Sequence, residues 1–592
     1  MPVSPQKYQQ AVALLHQGQY DKGIEQLLAL QRVDPRDPNV ANALGKGYAE
    51  TGRYEQAIYQ VEKCLALNPN DHVAAGNLIH MMGLAGKKKE SIARAEQLLP
   101  RFRGSPQFVL VTGAAYAAIG RYMDAKKLLD HFLANIGIDP IMVQYTGTIY
   151  LNLGMLRESV ETYRRTVAMM PGDSTALGLL AGTLNYAPWA DPAESLEIHK
   201  AFGRAIAAGR APVDPLSFPN DPDPDRKIRV ALISPDFRGH PVSRFVEAIF
   251  RHYDRAKVHL TGIYMYPNDD AVTKELSELC DQWRTIRTSK PGIIAGVVSE
   301  TRPDVLVELS GLTANSPLFS MSPRLAPVQV SAIGYPHTTG MTDIDYRIVD
   351  SRTDPPGIAD RFAVERLARI DPCFLCYTPR QMPPVGPGKA AENGWVTFGS
   401  FNKITKYTDE AFALWSRILE RSPGSRLLIK TAALDCEDVM EQMKRRLEAV
   451  GIARDRVDLA GVQDRPEDHL AMYNRIDIAL DTFPYNGTTT TCEALLMGVP
   501  VIGLEGTTHA GRVGVSLLHA AGMSEYLAST PEEYVEKAVA LAARSGELGT
   551  LRPQIRQRLL ASALCDGPAY AARWQGAVRS MWQDWCARKR GI

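Results

Sequence analysis

Cysteine is scarce in this chain, eight in 592 residues, and the shortage excludes a disulfide-stapled scaffold. Most of the eight lie among apolar neighbours and read as reduced core thiols. Cys373 and Cys376 form a CxxC, but a zinc site needs about four ligands, and no second CxxC or CxxH follows at the usual spacing. A metal or redox role for the pair is not expected. Charge of one sign is missing too: 67 basic against 66 acidic side chains leave a net charge of +1, which gives no electrostatic footprint for nucleic acid or an anionic membrane. No stretch approaches the ~20 apolar residues of a membrane span. The opening MPVSPQKYQQ lacks the charged-then-apolar order of a signal peptide, so a cytoplasmic protein is expected. Phosphate fingerprints are absent as well. RVALISPDFRGH leaves its strand without a glycine-rich turn, and no Walker A sequence occurs.

What is present is a repeat. Gly18, Gly52, Gly86, Gly120 and Gly154 recur every 34 residues, the period of tetratricopeptide helix–turn–helix units. Five residues after each glycine stands a small residue (Gly23, Ala57, Ser91, Ala125, Ser159), which lets paired helices approach closely. Pro35, Pro69 and Pro171 end second helices, and Tyr54, Ala57, Ile58, Val61, Cys64 and Leu65 share one helical face. Units of this kind stack into a superhelix with a concave groove. The groove is expected to bind protein or peptide partners, with a scaffold or homodimer surface as the competing reading. The repeats fade near residue 190, and Pro212, Pro215, Pro219, Pro222 and Pro224 mark a linker by composition.

From Lys227 the pattern becomes alternating strand and helix. One series of candidate strands is Ile228–Ser234, His259–Tyr264, Val305–Leu309, Val328–Ile333 and Tyr346–Val349. A second is Val396–Ser400, Arg426–Lys430, Val457–Leu459, Ile478–Leu480 and Val501–Gly503. Such alternation argues for parallel sheets covered by helices. Two series separated by the Pro- and Gly-rich stretch 379–394 argue for two Rossmann-like domains, with ligand at the carboxyl ends of the strands. The expected fold is therefore an α-solenoid over 1–190, a capping helix and linker over 191–226, two α/β domains over 227–385 and 386–550, and C-terminal helices over 551–592.

The segment LDTFPYNGTTTTCEALLMGVP (480–500) offers an anion cradle. Gly487 turns the chain, and Thr488, Thr489, Thr490 and Thr491 lead into a helix whose first amides lack intrahelical partners. Four threonines exceed what capping requires, although capping alone is the competing explanation. Glu493, a turn further on, can accept hydrogen bonds from a ribose diol. His509 stands at the next helix start, as a ligand residue or merely a cap. Lys406, after a strand in FGSFNKITKYTDE, can neutralise a departing diphosphate. Glu308 and Asp304 are weak candidates.

SPDFRGHPVSRF, IGYPHTTG, DYRIVD, DPCFLCYTP, VTFGSFNKITK, the threonine segment and HAGRVGVSLL together resemble the glycosyltransferase region of the protein O-GlcNAc transferases, and most closely the SPINDLY branch. The resemblance covers nearly the whole chain in the family's order. It implies a metal-independent GT-B fold that transfers a sugar with inversion to Ser or Thr hydroxyls of cytosolic proteins. The donor would be UDP-GlcNAc or, as in SPINDLY, GDP-fucose. By the same resemblance His240 matches a histidine near the acceptor once proposed as general base. Lys406 matches the lysine at the donor phosphates, and Thr489 and Thr490 the diphosphate threonines. Glu493 falls at the acidic ribose position, His469 matches a histidine near the nucleoside, and Gly334, Tyr335 and Pro336 match the loop beside the sugar. Three positions depart from the family pattern. Pro466 stands where animal enzymes place a lysine, Lys403 replaces a glutamine at the donor, and Leu312 replaces a histidine of bacterial relatives. They bear on base and sugar rather than on reaction type.

Overall fold

The computed structural model describes residues 3–313, 315–463 and 465–591. The chain forms two compact units, one of residues 1–166 with 436–439, the other of residues 167–435 and 440–592.

The first unit is the helical array. Its helices start with Pro5–His16 and Tyr20–Val33 and continue in pairs through Leu156–Met169, which crosses into the second unit. Each period glycine has positive φ, from +74° at Gly52 to +84° at Gly120, a backbone state that disfavours any residue with a Cβ. The small positions are buried. At Gly23 a Cβ would lie 2.6 Å from Leu15, while Ser91 and Ser159 donate across the pair to the carbonyls of Ile79 and Gly147. Asp37, Asp71 and Asp139 cap the next helix by accepting from its early amides.

The second unit begins at Val167, ahead of the expected boundary at 190. Ser174–Leu184 and Pro192–Ala207 belong to it, with Phe202 and Ile206 packing beside Ile233 and Leu306. Two parallel sheets follow. The first contains β1 (Ile228–Ser234), β2 (Val258–Tyr264), β3 (Gln282–Thr285), β4 (Val305–Glu308), β5 (Val328–Ser331), β6 (Tyr346–Val349) and β7 (Arg366–Arg369), in the order β3-β2-β1-β4-β5-β6-β7. The second contains β8 (Thr397–Ser400), β9 (Arg426–Lys430), β10 (Val457–Ala460), β11 (Ile478–Leu480), β12 (Val501–Leu504) and β13 (Leu527–Ala528), in the order β10-β9-β8-β11-β12-β13. The order reverses between β1 and β4 and between β8 and β11, and at these two points ligand crevices open.

The strands β3, β7 and β13, which the apolar runs do not predict, all lie at sheet edges. Such strands are short and half-solvated, so QWRT and RLAR need no continuous apolar pattern. The proline-rich segment, a linker by composition, is pinned along its length. Trp582 and Trp585 donate their indole N–H groups to the carbonyls of Asp223 and Pro215 at 3.0 and 2.8 Å, and Arg579 donates to those of Pro224 and Arg226. Proline holds that backbone extended with its carbonyls unspent, which suits it to a pinned strap. The same tryptophans, with Trp574, sit in the core of the first sheet.

Candidate active site

The functional side chains gather where the second sheet reverses. Beyond β8 the chain turns through Asn402 to Lys406; beyond β11 it runs through Asp481 to the helix Thr489–Leu496. Lys406 Nζ donates to the carbonyl of Asn486 at 2.7 Å and lies 4.2 Å from the centroid of the Tyr485 ring. That ring stacks at 4.8 Å and 12° on Tyr186, from the connection between the last two helices of the helical region. Burial pushes the ammonium down to about 8, opposed by Asp481 and assisted by Lys403. At neutral pH it remains charged. Lys403 itself is exposed at the mouth of this turn.

Asp481 is the counter-charge. Its Oδ1 accepts from the amides of Gly487 and Thr482 at 2.7 and 2.9 Å, while Oδ2 is buried with no partner among the described residues. Burial raises this carboxyl to about 6. Gly487 is obligatory here, because a Cβ would stand 2.6 Å from Thr490 Oγ1 and 2.9 Å from Asp481 Oδ1. Lys406 loses its proton as pH passes about 8, so the basic limb of kcat/KM, which reports the free enzyme, is expected there. Asp481→Asn removes the field that favours the ammonium and should move that limb to lower pH. A limb that stays in place in the variant's pH–rate profile would separate Lys406 from the titrating group.

Thr488 occupies the cap position of Thr489–Leu496 yet makes no side-chain bond to the helix amides. The threonines therefore do not cap, and the first N–H groups remain available to an anion. Thr490 Oγ1 donates instead to Asn402 Oδ1 at 3.1 Å, tying the two crevice walls together. One turn on, Glu493 Oε2 meets His469 Nε2 at 2.9 Å, and His469 Nδ1 meets Lys430 Nζ at 2.7 Å. An ammonium can only donate, so Nδ1 accepts and Nε2 carries the hydrogen toward Glu493. Lys430 was not legible as a site residue. Its only signal is a cation at the carboxyl end of the strand RLLIK, after three apolar residues.

Across the crevice, the chain leaving β1 reaches His240, which caps the helix Pro241–His252: the Val242 amide donates to Nδ1 at 3.3 Å. Burial lowers the imidazole below its ordinary value, so it is neutral at pH 7. With Nδ1 accepting, the proton resides on Nε2. Asp236 Oδ1, 3.6 Å from Nδ1, stands where the other tautomer would direct its N–H, which would free Nε2 to accept a proton. His240→Asn keeps a capping oxygen but removes the imidazole. It is expected to retain the wild-type Tm and lose roughly 100-fold in kcat/KM, whereas His240→Ala should lose both. Equal activity of His240→Asn and wild type would leave the cap as the only role.

Other expected positions fall elsewhere. Tyr335 is turned away from the crevice: its hydroxyl accepts from Asn185 Nδ2 at 3.0 Å and donates to His199 Nε2 at 2.7 Å. The loop of Gly334, Tyr335 and Pro336 therefore offers backbone rather than the phenol, and Gly334 is required because a Cβ would meet the Leu309 carbonyl at 2.0 Å. His509 does not join the threonines. Its Nδ1 is held by Asp354 Oδ2, and its ring lies edge-on to Phe374. Glu308 is saturated by the amides of Ser310 and Gly311 and the Ser331 hydroxyl. Asp304 is spent on Arg226, Asn220 and the Arg229 amide. Cys373 and Cys376 are buried free thiols, each pushed up to about 12 by burial.

Comparison with known proteins bears on this arrangement. The model of glycosyl transferase family 41 matches residues 211–386 and 388–574, and a tetratricopeptide repeat model matches residues 8–72. The Arabidopsis thaliana protein named probable UDP-N-acetylglucosamine–peptide N-acetylglucosaminyltransferase SPINDLY is 42% identical over 375 residues, covering 62% of this chain and 41% of the relative. The one named SEC from the same plant is 28% identical over 420 residues, covering 67% and 42%. The chain thus spans about two fifths of the length of these relatives. A lysine-to-methionine mutant of the Thermobaculum terrenum O-GlcNAc transferase superposes with a TM-score of 0.70 at 28% identity, covering 98% of both chains. Among the described residues, no helix is long and apolar enough to cross a membrane.

Proposed function

The chain belongs to glycosyl transferase family 41, and from that premise we propose that it moves a sugar, GlcNAc from UDP-GlcNAc, onto Ser or Thr hydroxyls of proteins with inversion at the anomeric carbon. The observation that carries this reading is the juxtaposition of the Lys406 ammonium with an uncapped helix N-terminus where the second sheet reverses. The acceptor oxygen forms a bond to the anomeric carbon as the bond to the β-phosphate oxygen breaks. The electron pair goes to the diphosphate, where Lys406 and the amides of Thr489 and Thr490 meet the new charge. The hydroxyl proton passes toward His240 or to water. Protein groups thus meet the leaving charge, so the proposal invokes no metal. Lys430, His469 and Glu493 would bind the nucleoside, and the helical array would hold an extended peptide, raising the acceptor's concentration at the crevice.

Two observations favour a second donor. Identity is higher to SPINDLY than to SEC, 42% against 28%, and Pro466 stands where animal O-GlcNAc transferases have a lysine; GDP-fucose is the donor that this branch suggests. Calorimetric titration with UDP and GDP, followed by intact-mass measurement of a lysate-derived acceptor after incubation with each sugar nucleotide, separates the two. Binding of UDP with a mass gain from UDP-GlcNAc supports the first. A gain only from GDP-fucose supports the second, and neither binding nor gain rejects transfer altogether.

A further inference from the structure

The last helix pair of the helical region, Ser174–Leu184 and Pro192–Ala207, lies within the second unit and touches both sheet domains. Its contact with the first is backbone on backbone. A Cβ on Gly203 would run into the Gly340 carbonyl, and one on Gly340 into the His199 carbonyl. His199 adds a directed bond. The Ser195 carbonyl, 2.6 Å from Nδ1, can only accept, so Nδ1 carries the hydrogen and Nε2 accepts from the Tyr335 hydroxyl at 2.7 Å. The same ring stacks on His337 at 4.2 Å and 10°.

Two consecutive residues of the pair's connection reach the two walls of the crevice. Asn185 ends the first helix. Its Nδ2, held over the carbonyls of Ala181 and Gly182 at 3.3 Å, donates to the Tyr335 hydroxyl at 3.0 Å and so grips the Gly334–Pro336 loop beyond β5. Tyr186 grips the other wall. Its ring stacks on Tyr485 at 4.8 Å, and the Tyr485 ring centroid lies 4.2 Å from the Lys406 ammonium. Neighbouring Cα atoms stand about 3.8 Å apart, so the two grips cannot move independently. The domains also meet through His509 with Asp354 and Ser516 with Asp350, on segments that carry neither Tyr335 nor Lys406.

We propose that Asn185 and Tyr186 form a two-sided clamp, a pair of positioning residues that hold the Gly334–Pro336 loop and Lys406 at the separation the transfer reaction needs. The clamp rests on the reading of Lys406 as the lysine at the departing diphosphate. Asn185 acts through Tyr335 and Tyr186 through Tyr485. Releasing either should cost rate more than nucleotide binding, because Lys430, His469 and Glu493 sit on other segments.

Tyr186→Leu removes the ring stack and Tyr186→Phe keeps it. The first should lose at least ~10-fold in kcat with UDP or GDP affinity unchanged, and the second should restore the rate. The charges facing Lys406 are those of Asp481 and Lys403, and the Tyr485 ring covers it. Opening the stack admits water and relieves the burial that holds the ammonium down to about 8. Its titration should therefore move to higher pH in Tyr186→Leu, opposite to the effect of Asp481→Asn. NMR of the full chain carrying isotope-labelled lysine, with the Lys406 signal identified by its loss in Lys406→Met, reads that shift without turnover. Asn185→Ala should lower kcat and leave the titration in place. The double variant should lose no more than the worse single one, because either release opens the clamp. Wild-type kcat in Tyr186→Leu, a loss confined to nucleotide affinity, an unmoved Lys406 titration, or losses that multiply in the double variant would each overturn the clamp. Lys406→Ala separates the two claims: an inactive Lys406→Ala beside a fully active Tyr186→Leu keeps the lysine and removes the clamp.

Discussion

Replacing Lys406 with alanine is expected to lower turnover at least ~100-fold, the scale of losing one preorganised donor to a developing anion. The ammonium is positioned from three sides, by the Asn486 carbonyl, by the face of Tyr485 and by the charge of Asp481. None of these can replace its charge at the leaving phosphate. The loss should appear in kcat more than in binding of a nucleoside diphosphate, because Lys430, His469 and Glu493 remain. Single-turnover measurement on the purified variant reads this directly, and near-normal turnover would remove Lys406 from the mechanism. Lys406→Arg is not a safe rescue, since a planar fork must enter a recess shaped for a compact point charge. Tyr186 belongs to the same argument: its stack on Tyr485 makes the last helix pair a positioning element for the lysine.

The second large effect expected is on stability. Arg552 is 1% exposed and donates to the carbonyls of Ile476, Tyr473 and Met497 at 2.8, 3.1 and 3.0 Å and to Asn474 Oδ1 at 3.1 Å. It thereby joins the helix Ser545–Leu560 to the elements flanking β11 and the helix Thr489–Leu496. Burial holds the guanidinium down to about 10, with the Asp477 charge opposing. Arg552→Met keeps the volume and strips the donors, leaving several buried carbonyls unpaired, at a cost of about 3–5 kcal/mol. Native-state hydrogen exchange of the β11 amides measures it. Protection reduced by less than tenfold would show that water or neighbouring donors replace the guanidinium.

The helical array was almost wholly legible because its determinants are local. A 34-residue glycine period specifies positive φ, and a small residue five places on specifies a close helix contact. The two sheets were legible in their central strands, where burial on both faces demands continuous apolar runs. The donor crevice was legible in part. Gly487, the threonines and Glu493 lie within one short segment whose turn and helix start are properties of that segment alone, whereas Asp481, in the same segment, was not singled out.

What the sequence determined by itself, then, was every feature set by neighbours along the chain: the repeats, the strand–helix alternation and the threonine-rich helix start. Tertiary structure alone decided the rest. Tyr186 reaches Lys406 through Tyr485, Lys430 is joined to Glu493 through His469, and the C-terminal tryptophans pin the proline-rich strap. The reason is physical. Periodicity and φ preference act over a few residues, whereas these contacts join groups far apart in the chain. Their partners are chosen by which surfaces the packed sheets bring within hydrogen-bonding range, and by the burial that makes each unpaired polar atom costly.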